Sequence, residues 1–353
     1  MKLNRYSILA LGALTVVSCS DMDEQIQEGS YLSADQMQES TEAIPERVDA
    51  AFAGMYNMMG EPYSVFGAAS ERADDWGIPM IMLSLDAEGS DLWMANSDYN
   101  WFTPCGELSS RDANYANPYI RYVLPYKQIG IINEFVASIA ADTQDENLIY
   151  KLAQARAMRA FDYMLLVPYF QFNYQTSKDL PSIPVLSAGV DYANNPRASV
   201  ETVYSLIMDD LNYAVGALEG FERTNKAHID QKVAYGLRAR AYMNMGMYAE
   251  AAADAAKAIE GYTPATMEEL AAGSRFCDIN EANWMWGVTL TEDQVRYGVL
   301  ATPASWFSPF SGTGYSAACA VTPSINTLLY DKIPATDVRK QWWLDENCYS
   351  PLL

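Results

Sequence analysis

The sequence predicts a mainly α fold, a helical repeat scaffold that carries long irregular loops. Three observations lead there. Five stretches between 119 and 260 read as helices by their apolar spacing and by the turn signals that bound them. The last two are Ala-rich and joined by a tight turn at Gly246-Met247. The segments on either side, 60–116 and 265–353, scatter Gly and Pro among Trp, Tyr, Asp and Asn without a sustained period.

Taken in order, the chain opens with Lys2 and Arg5, an apolar run over 6–17, and Val16-Val17-Ser18 before Cys19. A basic start, an apolar centre and a small residue before the cut form a secretory signal. A run this short does not suit a membrane-spanning helix. The polar, acidic stretch from Ser20 to Glu24 makes the segment resemble a bacterial lipoprotein signal, with cleavage before Cys19 and lipid on its thiol and new amine. Several acyl chains at one site give a stable anchor. Residues 1–18 are therefore expected to be a signal peptide and 19–44 a tether and leader, with the folded body spanning 45–353.

Residues 45–59 place Val48, Phe52, Met55 and Met59 at helical steps, with Pro45 suited to a first turn. Residues 60–116 read as a long irregular region with room for short helices, with Trp76, Trp93, Tyr99 and Trp101 among polar residues; long loops in compact domains are usually functional or disordered, and the aromatic content argues against disorder. Helices are expected at 119–140 and 147–167, separated by Asp142-Thr143-Gln144-Asp145, with Pro168 ending the second. Residues 171–197 read as a Pro- and Asn-rich loop. Ser199 starts a helix over 199–218 with Val203, Leu206, Ile207 and Leu211 as its stripe, stopped by Gly220. The pair 230–245 and 248–260 ends at Gly261 and Pro264. From 265 onward the chain is irregular again, apart from a short helix expected over 323–330.

Composition narrows the function. The 353 residues carry 23 bases against 45 acids, a net charge of −22; without residues 1–18 it becomes −24, because 21 bases then face 45 acids. No basic surface exists to release counterions from nucleic acid or to adhere to anionic headgroups. His228 is the only histidine, so Ser-His-Asp, Cys-His and histidine-bearing metal chemistry would all depend on it. It sits in Asn225–Asp230 just ahead of a helix, where a capping or surface role is expected. Cys105, Cys277, Cys319 and Cys348 form no CxxC pair, so no metal site is expected. Outside the cytoplasm they allow three disulfide pairings or remain buried thiols.

Within 235–260, Ala239, Tyr242, Gly246, Tyr248, Ala251, Ala255 and Ala258 fall where a tetratricopeptide repeat needs small or aromatic residues. Antiparallel helices approach closely at the alanines, and such a unit buries its face only by stacking on neighbours. Further upstream, Gln154-Ala155-Arg156-Ala157-Met158-Arg159-Ala160-Phe161-Asp162-Tyr163-Met164-Leu165-Leu166 is similar to the EAR-x-LRA-x-x-Y-x-x-L stretch of the SusD/RagB family, with Gln154 where that pattern prefers Glu. Asp209-Asp210-Leu211 resembles the same family's DL helix, and 233–245 its AAxxLLARxYLxMG helix. The resemblance covers about 19–345 and is most specific over 117–260. Family members continue into further helices, so a chain ending at Leu353 is expected to lack part of the scaffold.

This resemblance implies a surface-exposed, lipid-anchored, non-enzymatic protein of the outer membrane. It would bind a glycan or related nutrient and deliver it to a SusC-like TonB-dependent transporter, without a cofactor. Sugars suit the loops chemically, because flat rings stack on C–H faces while Asn, Asp and Arg bind hydroxyls. Trp93, Asn96, Tyr99 and Trp101 in 91–101, together with Trp286 and Trp306, are the expected ligand contacts. Two other functions fit the chain. One is a glycoside hydrolase working through a carboxylate pair drawn from loop acids such as Asp98, Glu107 and Asp112. The other is a tetratricopeptide adaptor in outer-membrane assembly.

Overall fold

In the computed structural model the described residues are 34–44, 46–70, 72, 74–94, 105, 108, 111–112, 114–187, 194–271, 278–289, 323–343, 345, 347 and 349–350. The chain is mainly α-helical, as expected. Its helices are α1 (Ala34–Ala43), α2 (Glu46–Asn57, continued by a 3-10 turn over Met58–Gly60), α3 (Gly77–Glu88), α4 (Ala116–Ala137), α5 (Glu146–Phe170), α6 (Tyr174–Ser177), α7 (Val200–Ala217), α8 (Gln231–Met245), α9 (Tyr248–Ala258), α10 (Met267–Ala271) and α11 (Thr327–Tyr330). Among the described residues four short strands, β1 (Leu92–Met94), β2 (Pro181–Pro184), β3 (Arg197–Ser199) and β4 (Pro323–Ile325), make two antiparallel ribbons, β1 with β4 and β2 with β3.

The ends of the long helices follow from local chemistry. Asp145 caps α5 by accepting the amides of Asn147 and Leu148 at 2.9 and 3.2 Å. Ser199 caps α7 through Thr202 at 3.1 Å, and Asp230 caps α8 through Val233 at 2.9 Å. Each of these satisfies an amide that the first helical turn leaves open. Gly246 closes α8 in the left-handed region at φ +76°, and the following amide returns to the Tyr242 carbonyl at 2.9 Å.

Helix α5 packs between α4 and α7, α7 packs on α8, and α8 packs on α9. Close approach is possible because Ala153, Ala155, Ala157 and Ala160 of α5 are fully buried, as are Ala214 of α7 and Ala241 of α8. The 230–260 hairpin has its predicted form, helix–turn–helix with Ala251 and Ala258 buried. Asp210 of α7, with its side chain out of contact with solvent, holds the array together. It accepts Arg156 Nε at 2.7 Å and Arg159 Nε and Nη2 at 2.8 Å, while Arg159 Nη1 donates to Asn133 of α4 at 2.8 Å. Two of the three stretches that resemble a known family, around Arg156 and around Asp210, are thus the two halves of one buried ion-pair network. A second one repeats the theme, with Arg238 of α8 on Asp254 of α9 at 2.6 and 2.9 Å and on Asn212 of α7 at 2.9 Å.

Several expectations need correction. Within 60–116, where the sequence allows short helices without placing them, α3 occupies twelve residues. Its run Ile78-Pro79-Met80-Ile81-Met82-Leu83 is buried on nearly every side, so no polar face marks a helical period. Gly77 begins it at φ +70°, and a Cβ there would lie 2.3 Å from the Met59 carbonyl oxygen, so only glycine fits. Trp76, grouped with the loop aromatics, is fully buried. Pro168 does not end α5, which runs on to Phe170; so near the terminus the missing N–H removes a single helical bond. The last part of the predicted leader forms α1, which packs on α4 and donates the Gln38 side-chain amide to the Ala137 carbonyl of α4 at 3.2 Å. The loop 171–197 contains α6, β2 and the first residue of β3, and the helix expected over 323–330 is divided into β4 and α11.

Candidate ligand-binding end

The array has a defined end at which loops gather. It is formed where α3 and α5 finish and α4 and α7 begin. Arg121, near the start of α4, donates to Glu88 at the close of α3 at 2.6 Å and to Ser84 at 3.0 and 3.2 Å, and its guanidinium lies over the Tyr169 ring at 5.2 Å. Tyr122 meets Phe170 edge-on with 5.2 Å between centroids. The chain then leaves α3 into β1, the strand that carries Trp93.

Trp93 is the one predicted contact that the described residues present openly, at 67% exposure. Its position is fixed by a distant part of the chain. Strand β1 pairs with β4 so that Trp93 faces Ser324 in register. Asn326 completes the tie, giving its backbone amide to Asp91 at 3.0 Å and its side-chain amide to Ser90 at 2.8 Å. The two loop-rich segments of the sequence are therefore joined by one ribbon, and Trp93 sits on it.

A second aromatic group occupies the same end. Phe66 and Tyr119 are 40% and 49% exposed, with centroids 5.4 Å apart and rings tilted by 44°. Arg72 lies over the Phe66 ring at 5.1 Å. Two buried carboxylates hold this loop. Asp75 accepts the Val65 and Phe66 amides at 3.1 and 2.8 Å. Asp74 takes both Arg72 Nε and Nη2, at 3.0 and 2.8 Å, and Asn117 of α4 at 3.2 Å. Burial pushes both carboxyls above the ordinary aspartate value, against the lowering effect of these donors. Their oxygens are committed to the loop, so this adjacent pair is structural. Exposed rings beside a guanidinium offer what a sugar needs, an apolar face together with hydroxyl donors.

The remaining predicted residues divide. Trp286 is half-buried, gives its indole N–H to the Ala227 carbonyl at 2.8 Å and meets Phe161 edge-on at 5.2 Å. It is thus placed against mid-α5 and the segment before α8, away from the ribbon. Asn96, Tyr99, Trp101 and Trp306 lie outside the described residues, as do Cys19, Cys277, Cys319 and Cys348. Cys105 is a buried thiol with Arg121 Nη2 at 3.7 Å. His228 packs against Tyr56 and Phe52 with centroids at 4.8 and 5.7 Å, and burial, with Arg223 adding to it, holds its pKa below the ordinary value. Sequence reasoning missed Phe66, Arg72 and Tyr119. The signal available was their place in a loop-rich segment already dense in aromatics; their meeting across 53 residues was not readable.

A family described as starch-binding, associating with the outer membrane, and SusD-like, matches residues 32–243, more than half of the chain. The fold is similar to that of a SusD-like carbohydrate binding protein from Bacteroides vulgatus (24% identity, TM-score 0.71), over 84% of this chain and 60% of that one. It is also similar to a SusD superfamily protein from the same organism (19%, 0.67, 86% and 66%) and to one from Bacteroides fragilis (20%, 0.65, 87% and 68%). The chain thus spans under two thirds of the length of the first two structures. No curated protein matches it.

Proposed function

Because this chain belongs to the SusD/RagB family, we propose that it is a surface-exposed lipoprotein that binds a glycan or related nutrient and hands it to a SusC-like TonB-dependent transporter. Cys19 would carry the lipid that keeps it at the outer membrane. The observation that carries the binding part is Trp93. It is an exposed indole held rigidly by a strand pair at the end of the array where Phe66, Tyr119 and Arg72 also gather. Ring faces contribute area at low entropic cost, and a fixed ring loses less freedom on binding than a mobile one. A tether at the channel mouth raises the local concentration of whatever is caught. The protein binds without turnover in this reading, which accords with an end built of rings and committed carboxylates.

Two measurements test it. Affinity electrophoresis in gels containing neutral polysaccharides should show retardation of the folded chain. Pull-down of the tagged chain from outer membranes should recover a TonB-dependent transporter. Release of reducing sugar by the pure protein, or recovery without any transporter, contradicts the reading.

A further inference from the structure

Where α5 finishes, a cleft opens that contains none of the predicted contact residues. It has a volume of about 570 Å³ and is bounded by the last turn of α5, by α6 and by the α8–α9 turn. That size falls within the range of small-ligand sites. Among the described residues twelve line it, and none of these is Asp, Glu, Lys, Arg or His. In a chain with a net charge of −22 such neutrality selects against charged ligands. The acids stand just outside: after burial, the charges of Glu201 and Asp179 add to the rise in the Tyr174 pKa, so an anion would be repelled at the rim.

The lining alternates rings with amides. Phe172 is 78% exposed and Tyr248 63%, large values for aromatic side chains. Tyr174 stands between them in sequence and packs edge-on against Tyr204 with centroids 5.2 Å apart. Asn173, Gln175 and Asn244 contribute the amides. The wall is not loose. Asn173 caps α6 through Thr176 at 3.1 Å, and the α8–α9 turn comes so close that a Cβ on Gly246 would meet the Gln175 amide at 1.9 Å. Exposed apolar rings beside neutral donors and acceptors, in a concave wall without charge, match the alternating C–H faces and hydroxyls of an uncharged sugar chain.

We propose that this cleft is a second carbohydrate subsite, specific for a neutral oligosaccharide, with Phe172 and Tyr248 as stacking rings and Gln175 and Asn244 as hydroxyl partners. The proposal rests on the glycan reading above and adds a place and a charge preference to it. The test uses the full chain labelled with [13C]methyl-methionine, since Met243 lines the cleft, and with [15N]indole tryptophan to report Trp93 separately. Maltoheptaose and laminarihexaose are titrated in turn, with an oligogalacturonate of similar length as the anionic counterpart. At least one neutral oligosaccharide should shift the Met243 methyl saturably, and the anionic one should not. Phe172→Ala and Tyr248→Ala should each weaken that titration about tenfold, with Phe172→Tyr restoring it; both parent rings are exposed, so the fold should survive. If neutral sugars move only the Trp93 indole, the cleft proposal fails while the glycan reading stands. If neither probe responds to any neutral sugar, both fail. An anionic ligand binding at Met243 as well as the neutral ones overturns the proposal.

Discussion

The helical array from α4 to α9 and the loop end built on β1, β4 and the 60–76 loop are stabilised in different ways. In the array, regular backbone bonding is local, and cohesion comes from buried alanines and from arginine–aspartate networks that cross helices. At the loop end, cohesion comes from side chains bonded to backbone groups, across 236 residues for Asn326 on Ser90 and within one loop for the Asp75 carboxylate on Val65 and Phe66. The array tolerates little change in its buried positions. The loop end leaves its rings uncovered, so changing a ring there should alter binding more than stability. That contrast supports the proposal of binding at the loops, with rigidity in the helices.

The comparison can be broken first at its strongest point. Asp210→Ala strands two arginines around an emptied site and should destabilise the fold by about 3–5 kcal/mol. Urea unfolding would show this, and a loss below about 1 kcal/mol would mean that the network is not what ties α4, α5 and α7. Next, Ala251→Leu overpacks the α8–α9 hairpin, with an expected cost of about 1–3 kcal/mol by the same measurement.

A subtler effect comes from Asp162, buried in α5 with neither carboxyl oxygen hydrogen-bonded among the described residues. Burial raises its pKa well above the ordinary value of 3.8. The folded chain therefore holds this proton more tightly than the unfolded chain. Its contribution to stability is greatest at low pH and declines as pH rises from about 3.8 toward the raised value. Asp162→Asn should flatten that decline and raise the melting temperature near neutral pH. A variant with an unchanged pH profile would show that Asp162 finds a partner. The smallest expected effect on stability is that of Trp93→Ala, within about 0.5 kcal/mol of the parent, because the ring is exposed. A large loss there would turn Trp93 from a contact residue into a packing residue.

Much of the array was legible in the sequence. Ser199, Asp230 and Gly246 mark helix ends through their own side chains or backbone freedom, and the small-residue spacing over 235–260 requires close helix packing. Helix α3 was hidden because it is surrounded by apolar neighbours and opens on a glycine followed by Pro79, both of which read as loop signals. The ribbon was hidden too, since three-residue strands carry no period and Trp93 meets Ser324 across more than two hundred residues. At the candidate site, Trp93 could be picked out as an indole in polar surroundings. Trp76 had the same surroundings in sequence and is buried, because burial of a loop tryptophan is set by what folds over it. Phe66 and Tyr119 become a platform only through a tertiary contact.

The central proposal is that the loop end captures a glycan on exposed rings. Calorimetric titration of a neutral polysaccharide panel into the parent chain, Trp93→Ala and Phe66→Ala tests it most directly, with circular dichroism showing that each variant is folded. The account predicts that at least one polysaccharide binds the parent and that each variant loses about 1–3 kcal/mol of affinity, roughly a fivefold to 150-fold weakening. Parent-like binding by both folded variants would contradict it and move the site away from this end of the array.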